Sequence, residues 1–128
     1  MEYLLDTHSF LWFINGDNRL SEKAKAAIID SESVKYISIV SLWEIAIKVN
    51  LGKLSLGMGY SDLRLQVINN GFEVLPITFE HTATLISLEL HHRDPFDRMI
   101  IAQALRESLT VIGKDENFGK YSGLKLLW

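Results

Sequence analysis

The chain has no cysteine, which excludes disulfides and thiolate metal sites and fits a reducing compartment. Proline occurs only twice in 128 residues, and nothing in the sequence is repetitive or of low complexity. No apolar run approaches the ~20 residues that cross a bilayer. The first residues, MEYLLDTHSF, carry an acid where an export signal would carry basic residues. A cytoplasmic protein with no membrane segment is the expectation. Excess positive charge is absent too. The net charge of −3 argues against indiscriminate nucleic-acid binding, yet leaves room for an enzyme with a local basic rim. The glycines of LGMG (56–59) are not followed by the Lys-Ser/Thr of a phosphate-binding loop and read as a plain turn.

What is present is a regular alternation of short apolar runs with helical patterns. YLLD (3–6), YISIV (36–40), FEVLPI (72–77), LTVIG (109–113) and KLLW (125–128) read as strands. Helical spacing covers 8–14, 21–31, 41–54, 60–71, 78–88 and 95–108, with Ser21, Ser41 and Thr78 as caps. Such alternation predicts an α/β fold with a mostly parallel sheet, organised as one domain over residues 1–128. In such sheets ligands collect beyond the carboxyl ends of the strands.

Four acids map to that edge. Asp6 ends the first strand, Glu44 lies one turn into the helix after the second, and Asp115 follows the fourth. Asp97 sits in HHRDPFDRMIIAQ (91–103), where Asp94 reads as N-cap and Pro95 as first helical residue. Asp97 shares its helix face with Ile100 and Ile101, which should be buried. Each acid alone has a local explanation. Asp6 and Asp115 can cap short helices, Ser41 to Glu44 has the form of a capping box, and Asp97 complements the helix dipole. Their convergence is less easily dismissed. Two carboxylates ~5 Å apart at an effective dielectric of ~20 repel by roughly 3 kcal/mol, so the group must take up protons or a cation. An all-oxygen donor set suits Mg²⁺ or Mn²⁺ better than zinc.

LLDTH, SLWEIAIK, GKL, LPI, HHRDPFDRMIIAQA and KDENF follow one another in an order that resembles PIN-domain proteins, most of all VapC-type toxins of bacterial toxin–antitoxin pairs. The resemblance spans nearly the whole chain. It implies a three-layer α/β/α sandwich around a parallel sheet of about five strands. It implies an Mg²⁺- or Mn²⁺-dependent endoribonuclease that cleaves RNA and arrests translation, blocked by a cognate VapB-like antitoxin and commonly a homodimer. Asp6, Glu44 and Asp97 match the family's acidic metal-binding triad, Asp115 a more variable fourth acid, and Thr7 and Ser41 small hydroxyl residues near the site. One departure concerns Gly113, where the family often carries a hydroxyl two residues before the last acid.

Other residues have competing readings. Lys48 can form an i,i+4 ion pair with Glu44 or meet RNA phosphate. Arg93 and Arg98 flank the acidic helix start and can contact phosphate or solvent alike. Adjacent His91 and His92 should point apart and serve the surface. Trp43 is expected in the core, and Trp12 in the core or against a partner. Two other functions fit less well. A phospho-acceptor receiver domain needs an aspartate at the end of its middle strand, which VLPITF does not offer. An inactive PIN-fold binding module would have little use for three intact acids.

Overall fold

The computed structural model describes residues 1–128. Its elements run β1 (Glu2–Leu5), α1 (Thr7–Asn15), α2 (Glu22–Ile29), β2 (Val34–Ser38), α3 (Ile39–Asn50), α4 (Tyr60–Asn69), β3 (Phe72–Leu75), α5 (Phe79–Ile86), α6 (Pro95–Glu107), β4 (Thr110–Ile112), a 3-10 turn (Glu116–Lys120) and β5 (Lys125–Leu127). The five strands form one sheet in the order β3-β2-β1-β4-β5. Every pairing is parallel, with Leu4 opposite both Tyr36 and Val111.

Period-two alternation divides the core between the two sides of this sheet. Leu5, Ile37 and Ile112 join Phe10, Ile28, Ile45 and Leu63 in one cluster. Leu4 and Val111 join Ile100, Ile101, Ala104 and Phe118 in the other. A sheet buried on both faces by helices is the three-layer α/β/α sandwich expected from the sequence.

The boundary between β2 and α3 departs from expectation. Ile39 and Val40 are β-branched and extend the apparent strand, but the helix already begins at Ile39. Ser38, not Ser41, is the cap: its Oγ accepts from the Val40 N–H at 3.0 Å and donates to Gln103 Oε1 at 2.6 Å. The capping box from Ser41 to Glu44 therefore does not form, and Ser41 is buried inside the helix. Trp43 is not a core residue either; it is 58 % exposed. Elsewhere the elements agree with the sequence reading to within a few residues. Gly16, at φ 63°, ends α1 in the left-handed conformation where NGDN was expected to stop it.

Because all strands run the same way, their carboxyl ends share one edge. Helix α6 runs back across the sheet, so its first turn stands at that edge and its last turn at the opposite one.

Candidate active site

Asp6 directly follows β1. Its backbone N–H still donates to Ile112 O at 3.0 Å, which extends the ladder past β1 and ties the residue to β4. Its side chain caps α1, with Oδ1 accepting from the Ser9 N–H at 2.8 Å. Asp6 is buried. Burial pushes its carboxyl above the usual range; the Ser9 hydrogen bonds and His8 oppose the shift, and Asp115 adds to it.

Glu44 is reached from α1 through Thr7. A carboxylate only accepts, so the Thr7 hydroxyl donates to Glu44 Oε1 at 2.7 Å and receives the Ser41 hydroxyl at 2.8 Å. Lys48 grips the other oxygen, Oε2, at 2.6 Å. Glu44 is thus buried, paired and oriented from two helices. The local i,i+4 reading of Lys48 holds, and the Thr7 and Ser41 hydroxyls stand in series against Glu44.

Asp97 is the third residue of α6. Asp94 caps this helix through bonds to the Phe96 and Asp97 N–H groups at 2.9 and 3.1 Å. A helix N-terminus favours negative charge. Even so, the Asp97 carboxyl is pushed up to about 7, first by burial and then by the charges of Asp94, Asp6, Asp115 and Glu44. The acids expected at this edge do sense one another there. Asp115, exposed, caps the 3-10 turn through the Asn117 N–H at 2.8 Å.

No three His, Asp or Glu side chains are close enough together to form a ready-made metal cage. The donor chemistry nonetheless fits a hard divalent ion. Mg²⁺ keeps much of its own water and is commonly held through one or two carboxylates, so it does not require a closed protein cage.

The missing hydroxyl at Gly113 has a steric cause. A Cβ there would lie 2.6 Å from a Phe118 ring carbon and 3.2 Å from Asp6 Cγ. The Phe118 ring and the Asp6 carboxyl leave room only for glycine there.

An open groove of about 330 Å³ runs beside Asp6 and Asp115, lined also by His8, Trp12, Arg19 and Lys114. Trp12 is half-buried, edge-on to Trp128 at 5.8 Å, with the Arg19 guanidinium 5.2 Å from its ring. Arg19 is itself paired with Asp17 at 2.7 Å. A separate, mostly apolar cavity of about 370 Å³ is lined by Ile39, Leu42, Tyr60, Leu63, Val67 and Val74, with Arg64, and no acid borders it.

Arg98 is engaged through Nη1, which lies 2.8 Å from Glu89 O and 2.9 Å from the Tyr121 hydroxyl, so the side chain braces the loop before α6. The paired histidines do not point apart: both rings pack against Tyr121, at centroid distances of 4.8 and 5.6 Å. His92 is the residue the sequence reading undervalued. Its Nδ1 meets the Tyr121 hydroxyl at 2.7 Å, and its Nε2 faces Asp97 Oδ2 at 3.6 Å. Only proximity to the DPFD motif could have singled it out.

Solved structures share this architecture. The chain is similar to one in the VapBC2 complex of Rickettsia felis bound to a promoter DNA fragment, at TM-score 0.74 and 18 % identity, covering 99 % of this chain and 98 % of that one. It is similar to one in DNA-bound VapBC of Salmonella typhimurium, at TM-score 0.70 and 20 % identity over 99 % and 97 % of the two chains. FitAcB of Neisseria gonorrhoeae gives TM-score 0.65 at 19 % identity, over 98 % and 96 %. No curated protein matches the chain. The PIN domain family matches residues 3–124, nearly the full length, and the chain belongs to that family.

Proposed function

We propose that this PIN-domain protein is a divalent-metal-dependent endoribonuclease, the toxin of a VapC-type toxin–antitoxin pair. The observation that carries the reading is Asp97. A half-buried carboxyl faces the charge of Asp94 beside it and of Asp6, Asp115 and Glu44, brought from three other parts of the chain, and no lysine or arginine pairs with it. Such a group favours protonation or a cation over the bare anion.

Asp6, Glu44, Asp97 and Asp115 would hold Mg²⁺ or Mn²⁺. Bound there, the ion supplies an activated water and offsets charge developing on a phosphodiester. The chain's own groups prepare the rest. Thr7 and Lys48 fix the Glu44 carboxylate in one orientation. Lys114 and Arg19 line the adjoining groove and suit RNA phosphates, while Trp12 offers a face on which a base can stack. The Thr7 hydroxyl that meets the Glu44 carboxylate is buried and holds that carboxylate in place, so hydrolysis by water is favoured over a covalent intermediate.

The toxin reading draws support from relatives that are toxin–antitoxin complexes. A protein partner is also supported by the surface. Phe79 and Ile86 are 84 % and 88 % exposed, and Trp43 and Leu90 also stand in solvent. Such apolar groups are suited to an antitoxin or to a second copy in a homodimer. The receiver-domain alternative loses ground on topology, since the order β3-β2-β1-β4-β5 is not the 2-1-3-4-5 order of such folds.

The test is cleavage mapping on total RNA, with Mg²⁺ or Mn²⁺, for the wild type beside Asp97→Asn. Discrete metal-dependent cuts made by the wild type alone support the reading. A wild type inert with both metals defeats it.

A further inference from the structure

The contacts of His92 form an ordered series. Arg98 Nη1 lies 2.9 Å from the Tyr121 oxygen, and a guanidinium can only donate. With one lone pair so engaged, the tyrosine directs its own O–H to His92 Nδ1, 2.7 Å away. Nδ1 then accepts, and a neutral ring must carry its hydrogen on Nε2. That atom is buried, has no hydrogen-bond partner, and stands 3.6 Å from Asp97 Oδ2. The opposite tautomer would point two donors at the tyrosine oxygen and set a nitrogen lone pair against the carboxylate.

We propose that His92 is a positioning residue for Asp97: Arg98 and Tyr121 hold the ring in its Nε2–H tautomer, and that N–H steers Oδ2 and so orients the carboxylate. The consequence for metal binding rests on the proposed function; the order of hydrogen bonds does not. Histidine and carboxylate partners of this kind orient groups around metal sites, and their loss costs roughly 10–100-fold in affinity. At 3.6 Å the two atoms face each other without a hydrogen bond, and the pair must close by some tenths of an ångström for one to form. His92 lies near Asp97 in sequence, but Tyr121 arrives from the segment before β5. The series therefore couples the start of α6 to the far end of the chain.

The first measurement is the tautomer, by long-range ¹H–¹⁵N correlation on histidine-labelled wild type with Mg²⁺ at pH 8. The expected spectrum has Nε2 protonated and Nδ1 bare at His92, and Tyr121→Phe should erode that preference. A wild-type ring protonated on Nδ1 overturns the proposal. The second measurement is Mn²⁺ affinity by calorimetry. His92→Leu should weaken binding ~10–100-fold, whereas His92→Gln, which keeps an N–H donor, should recover most of it. Equal loss in both variants, or no loss in either, overturns the positioning role. If the wild type binds Mn²⁺ as expected yet cuts no RNA, the nuclease reading fails while the positioning of Asp97 stands.

Discussion

Helix α6 has an acid at each end, and each acid faces a histidine. In the first turn, Asp97 lies 3.6 Å from His92 Nε2; in the last, Glu107 lies 3.5 Å from His81 Nε2. The helix dipole favours the charge on Asp97 and opposes it on Glu107. The Asp97 carboxyl nonetheless rises to about 7. Exposure sets the two ends apart. The Glu107 side chain is 40 % exposed and that of Asp97 19 %, so water answers the charge at one end and not at the other. Neighbours also differ. Around Glu107, the other acids are the exposed Glu2 and Glu73, whose fields, after burial, raise the Tyr36 hydroxyl. Around Asp97 they include the buried Asp6 and Glu44. The histidines themselves are arranged alike. His81 accepts at Nδ1 from the Thr78 N–H at 3.0 Å, which closes a capping box on α5, and like His92 it leaves a buried Nε2 without a hydrogen-bond partner before its acid. The number of acids at an edge thus says little; their removal from water is what calls a cation in.

The comparison is broken most severely by removing one acid at a time. Asp97→Asn should lower RNA cleavage at least by the roughly 10–100-fold that even outer partners of a metal ligand contribute. Glu107→Gln should leave the rate unchanged. Cleavage assays on one RNA substrate decide it, and equal losses at both ends would abolish the distinction. Metal should stabilise only through the first turn. At 100 times its dissociation constant an ion adds about 2.7 kcal/mol, or roughly 10 °C in melting temperature for a chain of this size. Calorimetric melting with Mn²⁺ should show this shift in the wild type and in Glu107→Gln, and little of it in Asp97→Asn.

Proton uptake separates the two ends without any metal. The folded-state pKa of Asp97 is raised, so its contribution favours folding below the unfolded value near 4 and is lost as pH rises through about 7. Metal-free stability should therefore fall across that window by roughly 2 kcal/mol, after allowing for solvent screening at a partly exposed group. Asp97→Asn should flatten the profile, and Glu107→Gln should retain it. Urea melts at pH 4.5 and pH 8 measure both. A slope that survives Asp97→Asn would move the stressed carboxyl elsewhere, with Asp6, also raised, the first suspect.

Much of the first turn was legible in sequence because its signals are local. Asp94, Pro95 and Asp97 declare a capped helix, and Asp6 and Asp115 declare positions after apolar strands. What failed depended on partners far along the chain. His92 acquires its orientation from Tyr121, and Arg98 turns its Nη1 to Tyr121 and Glu89. No spacing rule joins residues so placed. Trp43 was misread for another reason. Helical periodicity identifies an apolar face but not whether that face meets the core or a partner. Ile39 and Val40 misled through propensity: their β-branching suits a strand, but the Ser38 cap and the contact to Gln103 start the helix first. Gly113 was noticed as a departure, yet its cause, the Phe118 ring packed against it, is purely tertiary.

The smallest effect tests the caps that flank the two histidines. Thr78→Ala removes the side-chain bond to the His81 N–H and should cost about 1 kcal/mol. Asp94→Ala removes an equivalent cap, but it also removes the neighbour that, after burial, does most to raise Asp97. At pH 5 Asp97 is protonated, no repulsion is relieved, and the loss should again be about 1 kcal/mol. At pH 8 Asp97 is charged, and loss of the Asp94 charge offsets part of the lost cap, so the cost should shrink by some tenths of a kcal/mol. Thr78 carries no charge, and its cost should be alike at both pH values. Parallel urea titrations of the two variants therefore report whether a cap sits beside a strained carboxyl. A cost for Asp94→Ala that does not change with pH would mean that Asp94 serves α6 only as a cap.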